Sequence, residues 1–237
     1  MVISIATALP IVGIVLVVAL ARTVHWRLFQ QYFKVTYTNS PVWTFLYFGA
    51  VSFLLIAIFP ELTVRLFHAV TPVGYLILLF LFVVAFPATY RLLRETVGVP
   101  KWLADMTPDE PILTLGERFI LAKVADVLMQ ELAAGMIILT LSASGVTYPF
   151  IVLVSIIVFG AAHLYIFATS GFFWGLYYTT YGALAGFAIP FLILFVPAGI
   201  AYALVLHMLF YVLSAALFAK FPQPSVKVRH DLAVPAL

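Results

Sequence analysis

There is no cysteine among the 237 residues. That excludes disulfides, a thiol nucleophile and thiolate-ligated metal. Charge is also scarce: Asp, Glu, Lys and Arg make up 9% of the chain, where a soluble domain carries about a quarter. Asparagine occurs once, as Asn39, and glutamine only as Gln30, Gln31, Gln130 and Gln223. Such scarcity is common in proteins from hot environments. What fills the space is apolar: 65% of residues are hydrophobic and the mean hydropathy is +1.17. A water-soluble enzyme, a disordered chain and a nucleic-acid-binding domain are thereby excluded. The apolar runs are long and continuous, unlike the short alternating strands of an outer-membrane barrel. An all-α, polytopic transmembrane bundle remains.

A helix needs about 20 apolar residues to cross the hydrocarbon. Seven runs qualify or nearly so: residues 2–21, 42–59, 70–90, 119–141, 148–169, 171–196 and 197–219. Pro60 closes the second, and the Val196-Pro197 junction predicts a tight turn. The first run lacks a preceding base and a small-residue cleavage site, so it reads as a retained helix. The chain is expected to be one transmembrane domain, with a cytosolic loop over residues 91–118.

The basic residues fall into three groups: Arg22, Arg27 and Lys34; Arg91, Arg94, Lys101, Arg118 and Lys123; Lys220, Lys227 and Arg229. With seven alternating helices these share one side, and only Arg65 falls opposite. The bias predicts an outward N-terminus and a cytosolic C-terminus in a prokaryotic plasma membrane. The stretch from His25 to Lys34 mixes aromatics with bases and suits the headgroup region. The second long connection holds Asp105, Asp109, Glu110 and three prolines. It ends in Thr114-Leu115-Gly116-Glu117, a capping-box pattern that starts the fourth helix near Leu115.

Ionisable groups at mid-membrane are costly and mark candidate sites. They are confined to three helices: Asp126 and Glu131 on the fourth, with Gln130 between; His163 on the fifth; His207 on the seventh. The sixth adds Tyr177, Tyr178, Thr179, Thr180 and Tyr181. Asp126 has Lys123 and Gln130 within one turn, so local pairing on the helix surface accounts for it. Glu131 has no such neighbour: Val127, Leu128, Ala134 and Gly135 occupy the positions one turn away. It must meet another helix, a proton or water. His163 follows Gly160-Ala161-Ala162, which admits close helix packing.

A carboxylate and an imidazole around one water can generate a nucleophile, and a second donor can steady the resulting oxyanion. The same groups could instead hold Zn²⁺. A bis-histidine haem between His163 and His207, or a proton relay through Asp126 and Glu131, also fits these residue types. No H-E-x-x-H is present for a zinc intramembrane protease. Nor are there paired mid-membrane aspartates, a rhomboid G-x-S-G, or a lysine in the seventh run for retinal.

Phe159-Gly160-Ala161-Ala162-His163 is an F-x-x-x-H motif, and Gln130-Glu131 precedes it by about 32 residues. The segment His207 to Tyr211 occupies the place of an H-x-x-x-N motif. In order and helix position these resemble the CPBP intramembrane proteases, the family of the CAAX-type endopeptidases, over residues 119–219. The resemblance implies a glutamate-dependent, metal-independent peptide hydrolase without a cofactor. It implies Glu131 as base, His163 as the group orienting water, and His207 with Tyr211 at the oxyanion. The implied partners are the lipid bilayer and a membrane-anchored peptide or protein. Gln130 stands for one of the family's paired glutamates, Gly135 or Met136 for its arginine and Tyr211 for its asparagine. A similarity of this superfamily to the scaffold subunit of γ-secretase implies the alternative, a non-catalytic interaction protein.

Overall fold

A computed structural model describes residues 5–35, 37, 40–97, 117–164, 166–167 and 172–220. Among these the chain is predominantly helical, with no strand. Helix α1 (Ile5–Val24) runs on into a π-helical segment, His25–Tyr32. Then come α2 (Pro41–Ile58), the short α3 (Pro60–Phe67) and α4 (Pro72–Phe80). A π-helical stretch, Leu81–Ala85, joins α4 to α5 (Phe86–Val97). The second half holds α6 (Glu117–Ala143), α7 (Tyr148–Ala161), α8 (Phe172–Phe195) and α9 (Gly199–Lys220).

Among the described residues six helical spans are long and apolar enough to cross a membrane: Thr7–Tyr32, Pro41–Ile58, Pro72–Thr96, Arg118–Ala143, Trp174–Phe195 and Gly199–Leu217. The chain is an integral membrane protein of the all-α class. The fifth expected crossing is the exception, because α7 has only 14 residues. The expected helix over 148–169 stops at Ala161. There His163 N–H bonds the Gly160 carbonyl at 3.1 Å and Leu164 N–H that of Ala161 at 3.1 Å, tightening the chain into turns. The proposed cap at Thr114 lies outside the described residues.

Local chemistry sets the other boundaries. Proline opens α2, α3 and α4, at positions where its missing N–H costs nothing. The Thr71 hydroxyl accepts from the Gly74 N–H at 3.1 Å and caps α4. Gly145, at φ 75°, ends α6 in a left-handed turn. Val146 N–H bonds Leu141 O and Gly145 N–H bonds Ser142 O, the paired bonds of a Schellman motif. The tight turn expected at Val196-Pro197 is present. Gly199 there lies so close to the Leu192 carbonyl that a Cβ would stand 1.8 Å from its oxygen.

Helix α6 is the axis of the bundle, and two-thirds of its span is buried. It packs against α1, α2, α5, α8 and α9. Its N-terminal end lies beside Arg22 and Tyr37, while its C-terminal end meets the start of α1 through Thr7 and Ser144, whose hydroxyls are 2.8 Å apart. Arg65 lines a groove with Thr7 and Ser144 at that C-terminal end. Helices α7 and α8 form a tight pair. Gly182 and Gly186 on α8 sit against the Phe159 and Ser155 carbonyls, where a Cβ would come within 2.7 and 2.5 Å. The outer surface carries exposed Leu, Ile, Val and Phe, as lipid contact requires.

Candidate functional site

The buried polar groups of α6 form two layers that face different neighbours. The layer nearer the start of the helix is centred on Asp126, which is fully buried. The expectation of local pairing on the helix surface is corrected here. Lys123 Nζ does reach Oδ2 at 3.1 Å and Gln130 Nε2 reaches Oδ1 at 3.0 Å. The same carboxylate, however, also binds Arg22 from the end of α1 and accepts from the Tyr37 hydroxyl at 2.8 Å. A buried carboxylate demands this many donors, because desolvation of the charge must be offset. Burial pushes the Tyr37 phenol well above its ordinary value, and the adjacent Asp126 pushes it further. It therefore stays protonated and donates.

Arg22 and Tyr37 were not legible as partners of Asp126 from spacing, since they lie 104 and 89 residues away. One signal existed. Arg22 closes the first apolar run and Lys123 with Asp126 opens the fourth, and alternating helices place those ends on one side.

Aromatic rings enclose this layer. Lys123 Nζ lies 4.1 Å from the Tyr37 ring centroid and 5.1 Å from that of Tyr211, within cation–π range. The Tyr90 hydroxyl donates to the Tyr211 carbonyl at 2.8 Å. His25 is buried among Phe29, Tyr37, Tyr47 and Phe48, and its Nε2 has no hydrogen-bond partner.

The second layer is the pair Glu131 and His207. Glu131 is 0% exposed, and its Oε1 lies 2.7 Å from His207 Nδ1. Its Oε2 has no hydrogen-bond partner. Glu131 is 14 residues into α6, about 21 Å along the axis, near its middle. The sequence left Glu131 another helix, a proton or water, and of these α9 supplies a partner on another helix. The Tyr211 ring, one turn further along α9, stacks on His207 at 5.7 Å between centroids and 8° between planes.

His163 sits elsewhere. Its Nδ1 is 2.7 Å from the Phe159 carbonyl, and its ring stacks 6.3 Å from that of Tyr178 on α8. Among the described residues no hydrogen bond joins it to Glu131 or His207. Gly182, across the helix pair, leaves the space its ring fills. Of the four residues singled out, Glu131, His207 and Tyr211 are thus in direct sequence of contact, and His163 meets the aromatic side of α8. Tyr178 continues towards Tyr211 through Phe210.

Gly135 lies one turn from Glu131 on the same face. Leu66 of α3 packs onto it so closely that a Cβ would come within 2.6 Å of Leu66 Cδ2. A side chain at 135 would have to push the end of Leu66 aside. Among the described residues no group of three His, Asp or Glu side chains is arranged to hold a metal ion. No family model, no curated protein and no solved structure matches the chain.

Proposed function

We propose that the chain is an intramembrane peptide hydrolase of the glutamate-dependent type that its sequence resembles, working on a membrane-anchored peptide. The observation that carries this reading is Glu131: wholly buried, held through one oxygen by His207, and with the other oxygen unpartnered. A carboxylate held in that way is suited to a general base. Glu131 Oε2 takes a proton from water, and the oxygen attacks the peptide carbonyl carbon. The carbonyl π electrons move to oxygen; the Tyr211 hydroxyl is assigned to steady that charge, and His207 joins it through Nε2–H in its imidazolium form, because Nδ1–H is committed to Glu131. On collapse the C–N bond breaks, and the proton passes from Glu131 to the leaving amine. The products are a carboxylate and an amine, with no change of oxidation state. The positive-inside bias of the basic residues supports an outward N-terminus, with the catalytic layer reached from the cytosolic side.

The test is purified protein in a bilayer mimic with membrane-anchored peptides. Glu131→Ala should lower turnover by ~10²–10⁴-fold, and Tyr211→Phe should weaken it without abolishing it. Chelators should have no effect. Cleavage that survives Glu131→Ala removes the assigned base.

A second reading is favoured by a specific observation. Gln130 is engaged by Asp126, and His163 by its own helix carbonyl, so neither reaches Glu131. In that reading the Glu131–His207 pair clamps α6 to α9 in a non-catalytic interaction protein. Its signature is an inactive wild type that co-purifies with a membrane partner.

A further inference from the structure

The two polar layers of α6 are joined by an unbroken run of contacts that neither layer needs for its own satisfaction. Asp126 holds Arg22 on one side and Lys123 on the other. Lys123 lies against the Tyr211 ring at 5.1 Å, Tyr211 stacks on His207, and His207 bonds Glu131. The geometry points to Lys123 as a positioning residue for the Glu131–His207 pair, set in turn by the docking of Arg22 on Asp126.

The physical argument has two parts. A cation over a ring face is held by the ring quadrupole, so Lys123 and Tyr211 restrain each other. A near-parallel imidazole–phenol stack then transmits the position of Tyr211 to His207, since offset stacks have a preferred geometry. Asp126 is the element both ends share. With Arg22 present its charge is divided between two cations. Without Arg22, Lys123 is the one remaining cation in contact with it among the described residues, and the ammonium is drawn off the Tyr211 face. The end of α1 and the middle of α6 are thereby coupled. How well the first helix docks at the inner interface is read out at His207.

This inference deepens the reading of Glu131 and His207 as the working pair and rests on it for its consequence. Its test does not need activity. Proximity alone does not demonstrate coupling, so a remote perturbation must be read at the pair. The protein has five histidines. Labelled with ¹⁵N-histidine in nanodiscs, its His207 ring signals are assigned by His207→Gln. At fixed pH, Arg22→Gln should shift those signals although Arg22 does not touch His207, and Arg22→Lys should keep them. Lys123→Met should shift them further, and Lys123→Arg should restore them. Arg22 is a third exposed, so Arg22→Gln disturbs packing less than Lys123→Met and carries the test where Lys123→Met does not fold. Unchanged His207 signals in a folded Arg22→Gln protein overturn the coupling. Shifted signals in a protein that cleaves no peptide keep the coupling and remove the hydrolase.

Discussion

At the scale of single residues, Asp126 and Glu131 are both fully buried carboxylates on one helix, yet their surroundings differ. Asp126 meets four donors and has no acceptor capacity idle. Glu131 meets one, and leaves an oxygen without a partner. The first pattern is that of a structural hub; the second leaves one oxygen free, which the proposed reading uses as a base. Asp126→Ala leaves Arg22 and Lys123 without their common acceptor. Breaking a buried pair costs about 3–5 kcal/mol. The exposure of Arg22 brings the expected loss toward the lower end. Thermal unfolding in detergent should show it, with Asp126→Asn losing less. An Asp126→Ala protein as stable as wild type removes the hub. Glu131→Gln, by contrast, keeps the shape and an acceptor oxygen. It should change stability little while stopping turnover.

Among the elements, α7 and α8 show how small residues substitute for apolar driving force in lipid. Helices in a bilayer gain little from burying leucine and associate through close packing. Gly182-Ala183-Leu184-Ala185-Gly186 is a G-x-x-x-G sequence, and both glycines meet the backbone of α7. Gly186→Leu should therefore separate the pair. The expected cost is about 1–3 kcal/mol of overpacking, together with loss of the His163 stack on Tyr178. Measurement of unfolding by SDS titration checks the first part. The turn after α6 offers a smaller effect. Gly145 lies at positive φ in open space, so Gly145→Ala meets no neighbour but costs about 1–2 kcal/mol of backbone strain. Gly199→Ala, facing the Leu192 carbonyl, should be worse than Gly145→Ala. The reverse order would contradict the packing of the α8–α9 turn.

For the whole molecule, the contacts bring Arg22 and Lys123 together at one end and Thr7, Ser144 and Arg65 at the other. The absence of cysteine makes the membrane topology directly testable. Single cysteines placed at the exposed Gln31 and Thr147 should differ in labelling by an impermeant maleimide on intact cells. Thr147→Cys should react and Gln31→Cys should react only after lysis. Equal labelling of both from outside refutes the alternating topology, and the opposite pattern reverses the orientation.

Composition and run length were enough for the all-helical, membrane-spanning architecture, because a bilayer tolerates few backbone solutions and each needs a long apolar stretch. Single residues carried further. The Val196-Pro197 turn followed from the missing polar loop, and Glu131 had to look beyond its own helix because no cation lay one turn away. His207 as its partner, in contrast, required the tertiary structure, since which helices adjoin α6 depends on packing rather than on order. So did the burial of Asp126: its local partners Lys123 and Gln130 are present, but Arg22 and Tyr37 arrive from distant sequence and turn a surface pair into a core cluster. The end of α7 at Ala161 was hidden because the apolar run continues past it. Hydrophobicity marks what lies in lipid and is silent on where a helix gives way to a turn. The sequence thus named the costly polar groups, and only the arrangement of helices decided which of them meet, because a partner across a bundle leaves no spacing to read.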